Sequence, residues 1–257
     1  MEIVFAIKSL ILISLINAFI FYLLVSREIK MKEAYRLTCT ATALNKVFFT
    51  GSGFLAGSYF SRNKNLPSFK ALGAFFILEI LSASLWLILG LYFGAKLAVK
   101  VPLVLIVALL FVAIALWIKR KSINSFKNVL NYFKNIGSQV ALVVPLVAFS
   151  ALFFVFYYYH LFNFFDFSLG FLETIKIIAV SFTLGYLSPA PAGLGFKETG
   201  MVLLLKSAGI DSGVAISVAV CDRVLTTLFW GGLGGIFGFD LIKEELSRRF
   251  KKTKTAK

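Results

Sequence analysis

Five stretches of this chain run for roughly the 20 residues that a helix needs to cross the hydrocarbon core of a bilayer. They lie at 3–25, 71–93, 101–118, 140–158 and 214–239, and they carry very little charge. In hydrocarbon every backbone N–H and C=O must find a partner inside the protein, so only helices and closed barrels persist there. Barrel strands are about half as long and alternate in polarity; these runs do neither. The chain reads as an all-α polytopic integral membrane protein. Composition agrees: 59% of the 257 residues are hydrophobic, 29 are Phe, and 15% are charged. A soluble domain carries about 25% charged residues. A soluble enzyme or a nucleic-acid-binding domain is excluded, because no water-soluble fold covers so much apolar surface.

Two further apolar stretches are interrupted. Residues 37–60 contain Asn45, Lys46 and the run Thr50-Gly51-Ser52-Gly53. Residues 168–208 contain Ser188-Pro189-Ala190-Pro191-Ala192-Gly193-Leu194-Gly195. Each has the composition of two short helices flanking an irregular centre. Lys and Arg gather in 26–36, 61–70, 119–139 and 243–257, nineteen in all, while 94–100 holds two. If both interrupted stretches are hairpins that return to the side they left, all nineteen share one face. Positive-inside bias makes that face cytoplasmic, with the N-terminus outside and the C-terminus in the cytoplasm of a cell-membrane protein. The predicted architecture is about five full spans plus two broken re-entrant helical hairpins. These form one transmembrane domain over 1–242, followed by a basic cytoplasmic tail at 243–257. The net charge of +15 then serves topology and anionic lipid, with no nucleic-acid partner. Residues 123–136 alternate Lys and Asn with apolar side chains and read as an amphipathic surface helix. The N-terminus does not read as a cleavable leader, since Glu2 precedes the first apolar run and no small-x-small site follows it.

The two interrupted stretches resemble each other. Thr50-Gly51-Ser52-Gly53-Phe54 aligns with Ala192-Gly193-Leu194-Gly195-Phe196, and Gly57 and Gly200 follow at nearly the same distance. Entering from opposite faces, they would make an inverted repeat, the arrangement in which many transporters build a midplane site. Irregular backbone at that depth must be buried in protein or line a wet cavity. Pro191 would stop the incoming half-helix, and a helix starting near Phe196 would turn its positive end toward Gly193 and Gly195. Free amides at such an end bind anions; the competing reading is that these glycines serve close helix packing.

Ionisable residues inside the membrane are functional candidates. Lys46 lies in the first hairpin, Glu79 in the middle of its span, Lys197 and Glu198 just after the second glycine motif, and Asp222-Arg223 in the last span. Neighbouring residues on a helix point about 100° apart, so Asp222 and Arg223 need separate partners on other helices. One network pairs Arg223 with Glu198, and Lys197 with Asp222 or Glu79. Either these are structural ion pairs, or a basic group is free to meet an anionic headgroup, for which the planar fork of Arg is suited. Glu173 and Lys176 share a helical face and are expected to pair. In the last span Gly231 and Gly235, or Gly234 and Gly238, offer small-xxx-small faces for packing. Cys39, Cys221 and His160, the last expected in an outer loop, match no disulfide or metal spacing, and no cofactor or metal is expected.

Pro191-Ala192-Gly193-Leu194-Gly195-Phe196-Lys197-Glu198 resembles the P-G-G-L-G-V-R-E motif of the lysylphosphatidylglycerol synthase transmembrane-region family, also called flippase-like proteins. Ala192 stands where that motif has the first Gly of its pair. Cys221-Asp222-Arg223-Val224-Leu225-Thr226-Thr227 is similar to a family segment with an Arg in the next span. Leu44-Asn45-Lys46 and Thr50-Gly51-Ser52-Gly53 look like the N-terminal asparagine-to-glycine motif. The resemblance implies lipid translocation by the membrane part, with aminoacyl transfer belonging to a separate soluble domain. A flippase-like module without lysyl transfer is therefore expected.

The leading functional expectation is a lipid transporter that moves a phospholipid or a polyprenyl-phosphate-linked lipid through a cavity between the two hairpins. Asn45, Lys46, Thr50, Gly51, Gly53, Pro191, Gly193, Gly195, Lys197, Glu198, Asp222 and Arg223 would contact the headgroup. Glu79, Glu198 and Asp222 would gate or couple the movement. The alternatives are an accessory membrane subunit for a soluble lipid-modifying transferase, and a membrane-embedded lipid-modifying enzyme. Thr50-Gly51-Ser52-Gly53 is not a G-x-S-x-G nucleophile elbow, and no nucleotide-binding loop is present. Partners are membrane lipids, a soluble transferase in the accessory reading, and a second copy of the chain if it is a homo-oligomer.

Overall fold

A computed structural model of the chain describes residues 1–47, 52–64, 66–94, 136–167, 169–188, 190 and 193–255. Its helices are α1 (Glu2–Leu24), α2 (Met31–Val47), α3 (Ser52–Ser61) with a 3-10 turn at Arg62–Lys64, α4 (Ser68–Gly94), α5 (Gly137–Phe164), α6 (Phe171–Leu187), α7 (Phe196–Ser207) and α8 (Ser212–Thr255). No strand occurs among the described residues. Four helices are long and apolar enough to cross a membrane: α1, α4, α5 and the part of α8 at Ser212–Ser247. They correspond to four of the five expected spans. The fifth, 101–118, and all but the last residue of the expected surface helix at 123–136 lie outside the described residues.

The spanning helices are apolar around their whole circumference. On α1, Ala6, Leu10, Ile13 and Phe21 are buried while Ile7, Ile11, Leu15 and Phe19 are exposed. The same holds for Ile88 on α4 and for Leu228 and Phe239 on α8, each about two-thirds exposed. Such large apolar patches are untenable in water and are what lipid-facing helices require.

Ion pairs and hydrogen bonds fix the ends of the bundle. At one end Lys70 pairs with Glu28, and Gln139 donates to the Ser26 hydroxyl at 3.0 Å. There Lys64 also pairs with Glu33 at 3.0 Å and with Glu244 at 2.6 Å. Burial alone would lower the Lys64 ammonium, but its bonds to Glu244 and Glu33 outweigh that and hold it above its usual range. The buried Arg36 reaches Glu244 at 2.8 Å and Asp240 at 3.4 Å. At the other end His160 Nδ1 meets Glu2 at 2.7 Å, and Phe171 packs against Phe156 and Tyr159.

Lys64, just after α3, pairs with Glu33 near the start of α2, and the first residue of α6, Phe171, lies beside the last turns of α5. Helix α6 starts at Phe171, residue 168 lying outside the described residues, and α2 starts at Met31, six residues before the expected 37. His160, expected in a loop, sits on α5, whose helix continues to Phe164. The expected boundary at 242 and 243 is not a helix end, since α8 runs through it unbroken.

Two apolar clusters flank the middle of the bundle. One joins the start of α1 to α5, α6, α7 and α8 through Leu10, Tyr158, Ile178, Met201 and Val218. The other joins the end of α1 to α2, α3, α4 and α5 through Phe21, Leu37, Phe54, Phe75 and Val143. Polar residues lie between them.

Candidate functional site

The break in the first hairpin is closed by Asn45. Its Oδ1 accepts the Gly53 N–H at 2.8 Å, and the Ser52 hydroxyl donates to the Leu44 carbonyl at 3.1 Å. A side chain from α2 thus satisfies an orphan amide at the start of α3, as an N-cap does. Gly53 is required by contact, because a Cβ there would stand 1.8 Å from the Ala41 carbonyl oxygen. Thr50 and Gly51 lie outside the described residues.

The second break is longer. The Ser188 hydroxyl accepts the Ala190 N–H at 3.0 Å, and Gly193 donates to the Ala190 carbonyl at 3.0 Å. Gly193 has φ +67°, and a Cβ on it would lie 2.9 Å from Gly185. Gly195 has φ +81°, and its N–H donates to Glu198 Oε2 at 2.9 Å. That reach-back from the third helical residue is half of a capping box. Glu173 does the same for Gly170 at 3.2 Å, so it caps α6, and no ion pair joins it to Lys176. Pro191 lies outside the described residues.

These amides differ from expectation in one respect. The sequence suggests that Gly53, Gly193 and Gly195 offer bare N–H groups to an anion; each instead donates within the protein. An amide left unpaired in hydrocarbon costs several kcal/mol, and nearby side chains and carbonyls remove that cost.

Asp222 and Arg223 diverge as adjacent helical residues must, but both reach the same helix. Lys197 Nζ lies 2.8 Å from Asp222 Oδ2, and Arg223 lies 3.3 Å from Glu198 Oε1. Of the two partners open to Lys197, the structure selects Asp222 over Glu79. Asp222 is fully buried and also accepts the Tyr157 hydroxyl at 3.1 Å. The Lys197 ammonium sits over the Phe182 ring at 4.9 Å and the Tyr158 ring at 5.4 Å. Desolvation disfavours a buried charge unless it is paired and hydrogen-bonded. Here one carboxylate and two ring faces surround the ammonium, and the Tyr157 phenol satisfies the other carboxylate oxygen. Of the small-residue faces on α8, the structure uses Gly234 and Gly238, which lie against Ala43 and Thr40 of α2. A Cβ at Gly231 or Gly235 would meet nothing within 4 Å among the described residues.

A cavity of about 350 Å³ opens between the two apolar clusters. Both hairpin breaks reach it: Asn45 and Lys46 from the first, Ser188, Ala190 and Gly193 from the second, with Lys197 just beyond. Glu79 and Ser82 of α4 line it as well. Gly53, Gly195, Glu198, Asp222 and Arg223 do not line the cavity and instead hold its walls. Among the described residues, neither Lys46 nor Glu79 forms an ion pair or a hydrogen bond.

Sequence reasoning missed the uncharged polar lining: Asn17, Thr38, Thr42, Ser150 and Tyr186. Ser150 donates to Asn17 Oδ1 at 3.1 Å, which ties α5 to α1 across the cavity. Asn17 was visible as the one amide in a long apolar run, but attention to ionisable groups passed over it. Among the described residues no group of His, Cys, Asp and Glu is arranged to hold a metal.

The chain matches the family model described as the lysylphosphatidylglycerol synthase TM region over residues 2–234. No curated protein and no solved structure matches it. The family match covers both hairpins and the ion-paired α7–α8 junction, so the chain belongs to that family and is a multi-pass membrane protein.

Proposed function

We propose that this member of the lysylphosphatidylglycerol synthase TM region family is a lipid translocator. In this reading α2–α3 and α6–α7 are re-entrant hairpins forming an inverted repeat, with the basic end of the bundle in the cytoplasm of a cell membrane. The observation that carries it is the meeting of the two chain breaks at one polar cavity in the middle of an otherwise apolar bundle. A lipid headgroup needs such a polar station, because carrying its charge through hydrocarbon is the principal barrier to crossing. The acyl chains remain in the bilayer beside the lipid-facing helices. Lys46, which has no ion-pair partner among the described residues, meets the phosphate. Lys197 and Arg223, held by Asp222 and Glu198, keep α7 and α8 in register around it and exchange partners as the cavity opens to the other side. This is transport without bond breaking, and no catalytic residue is assigned.

The test is translocation of fluorescent phospholipids and of a polyprenyl phosphate in proteoliposomes, read by chemical quenching of the outer leaflet. Wild-type protein should accelerate crossing of at least one lipid, and Lys46→Gln and Arg223→Ala should abolish the acceleration while keeping the fold. Folded protein that moves none of the lipids, with or without an ion gradient, would overturn the reading. The family's description as one region of a synthase supports a second reading, a membrane platform for a soluble transferase. Capture of such a transferase by a protein that moves no lipid would favour it.

A further inference from the structure

Two opposite charges face the cavity from different helices, Lys46 on α2 and Glu79 on α4, and neither has a bonded partner among the described residues. The other cavity cation is already neutralised, since Lys197 is held at 2.8 Å by Asp222. Among the described residues the cavity therefore presents one available cation and one available anion, which do not contact each other. An anionic headgroup would satisfy Lys46 but bring its charge beside Glu79. An amine alone would have the reverse defect, and a neutral sugar would pair with neither. A group carrying a phosphate and an ammonium a few bonds apart satisfies both.

We infer that the cavity takes a zwitterionic aminophospholipid headgroup, its phosphate on Lys46 and its ammonium on Glu79. This rests on the translocator reading and adds the substrate class. The size agrees: about 350 Å³ is room for about a dozen waters at about 30 Å³ each, enough for a phosphoethanolamine-sized group but not for an oligosaccharide. Ser82 and Tyr186 lie beside Glu79 on the lining, and Asn45, Thr42 and Ser188 supply further neutral polar atoms around the phosphate.

Binding is read separately from transport. Trp86 and Trp230 line the cavity, so with Trp117 replaced by Phe the intrinsic fluorescence of the full chain reports on its occupancy. Purified protein is titrated with short-chain phosphatidylethanolamine and, separately, with short-chain phosphatidylglycerol. Phosphatidylethanolamine should bind about tenfold more tightly, the worth of one charge-assisted contact. Glu79→Gln should erase that preference, and Glu79→Asp should restore part of it. Equal or tighter binding of phosphatidylglycerol, or a preference that survives Glu79→Gln in folded protein, would overturn the inference. Amine-selective binding without translocation would leave it standing and sink the translocator reading. Translocation without amine preference would do the opposite.

Discussion

Lys197 of α7 and Asp222 of α8 hold one another at 2.8 Å with their side chains almost wholly out of contact with solvent. The second carboxylate oxygen takes the Tyr157 hydroxyl of α5, so one aspartate fastens three helices. Removing a single partner leaves a buried charge exposed to a low-dielectric surrounding. Lys197→Met or Asp222→Leu alone should cost about 3–5 kcal/mol, and the double variant should recover much of that loss. Thermal unfolding in detergent measures it. A double variant as unstable as the sum of the singles would show that the pair is not a coupled unit.

Glu198 serves two bonds at once, accepting the Gly195 amide on Oε2 and Arg223 on Oε1. Gln keeps an acceptor for the amide but loses the charge for Arg223, whereas Ala loses both. Glu198→Ala should therefore destabilise by about 1 kcal/mol more than Glu198→Gln, the usual worth of a cap. Amide hydrogen exchange should rise at the first turn of α7 in the Ala variant and stay near wild type in the Gln variant. Equal exchange in both would rule out the cap.

Gly193 and Gly195 both have positive φ, but only Gly193 is crowded, with Gly185 where its Cβ would go. Left-handed backbone costs a non-glycine residue about 1–2 kcal/mol. Gly193→Ala should exceed that figure through the added clash, and Gly195→Ala should stay within it. Melting temperatures of the two variants decide; a larger loss at Gly195 would contradict the packing of the second break.

Gly234 faces Ala43 so closely that a methyl group would fall 2.0 Å from the Ala43 Cβ. Gly234→Ala should force α8 off α2 and lower stability. At Gly235, where a methyl group meets nothing within 4 Å among the described residues, the same substitution should be neutral or gain up to about 1 kcal/mol of helix propensity. If both variants melt alike, the α2–α8 contact is looser than described.

Much of the site was legible because charge is rare in hydrocarbon. The pairing of Arg223 with Glu198 followed from adjacency on one helix and the shortage of other partners. The choice between Asp222 and Glu79 for Lys197 was not legible, since it depends on how α7 crosses α8. Tyr157 was hidden in the run Tyr157-Tyr158-Tyr159, where sequence alone does not tell a hydrogen-bonding phenol from span filler. The glycine breaks were visible, but the acceptors of their amides were not. A carboxylate three residues on can cap a helix or pair with a cation, and Glu198 does both. Helix α2 starts before the apolar run because Lys32 and Glu33 are good helix formers and fill its first turn as readily as apolar residues would.

The unbroken course of α8 has a mechanical consequence. Asp222 and Glu244 are 22 residues apart on it, about 33 Å along a single rod. The first grips the second hairpin through Lys197, and the other grips the base of the first hairpin through Arg36 and Lys64. A rod with no hinge transmits torsion along its length. Turning α8 at one hairpin therefore turns its grip on the other as well, so the two ends of the bundle are mechanically coupled through one helix.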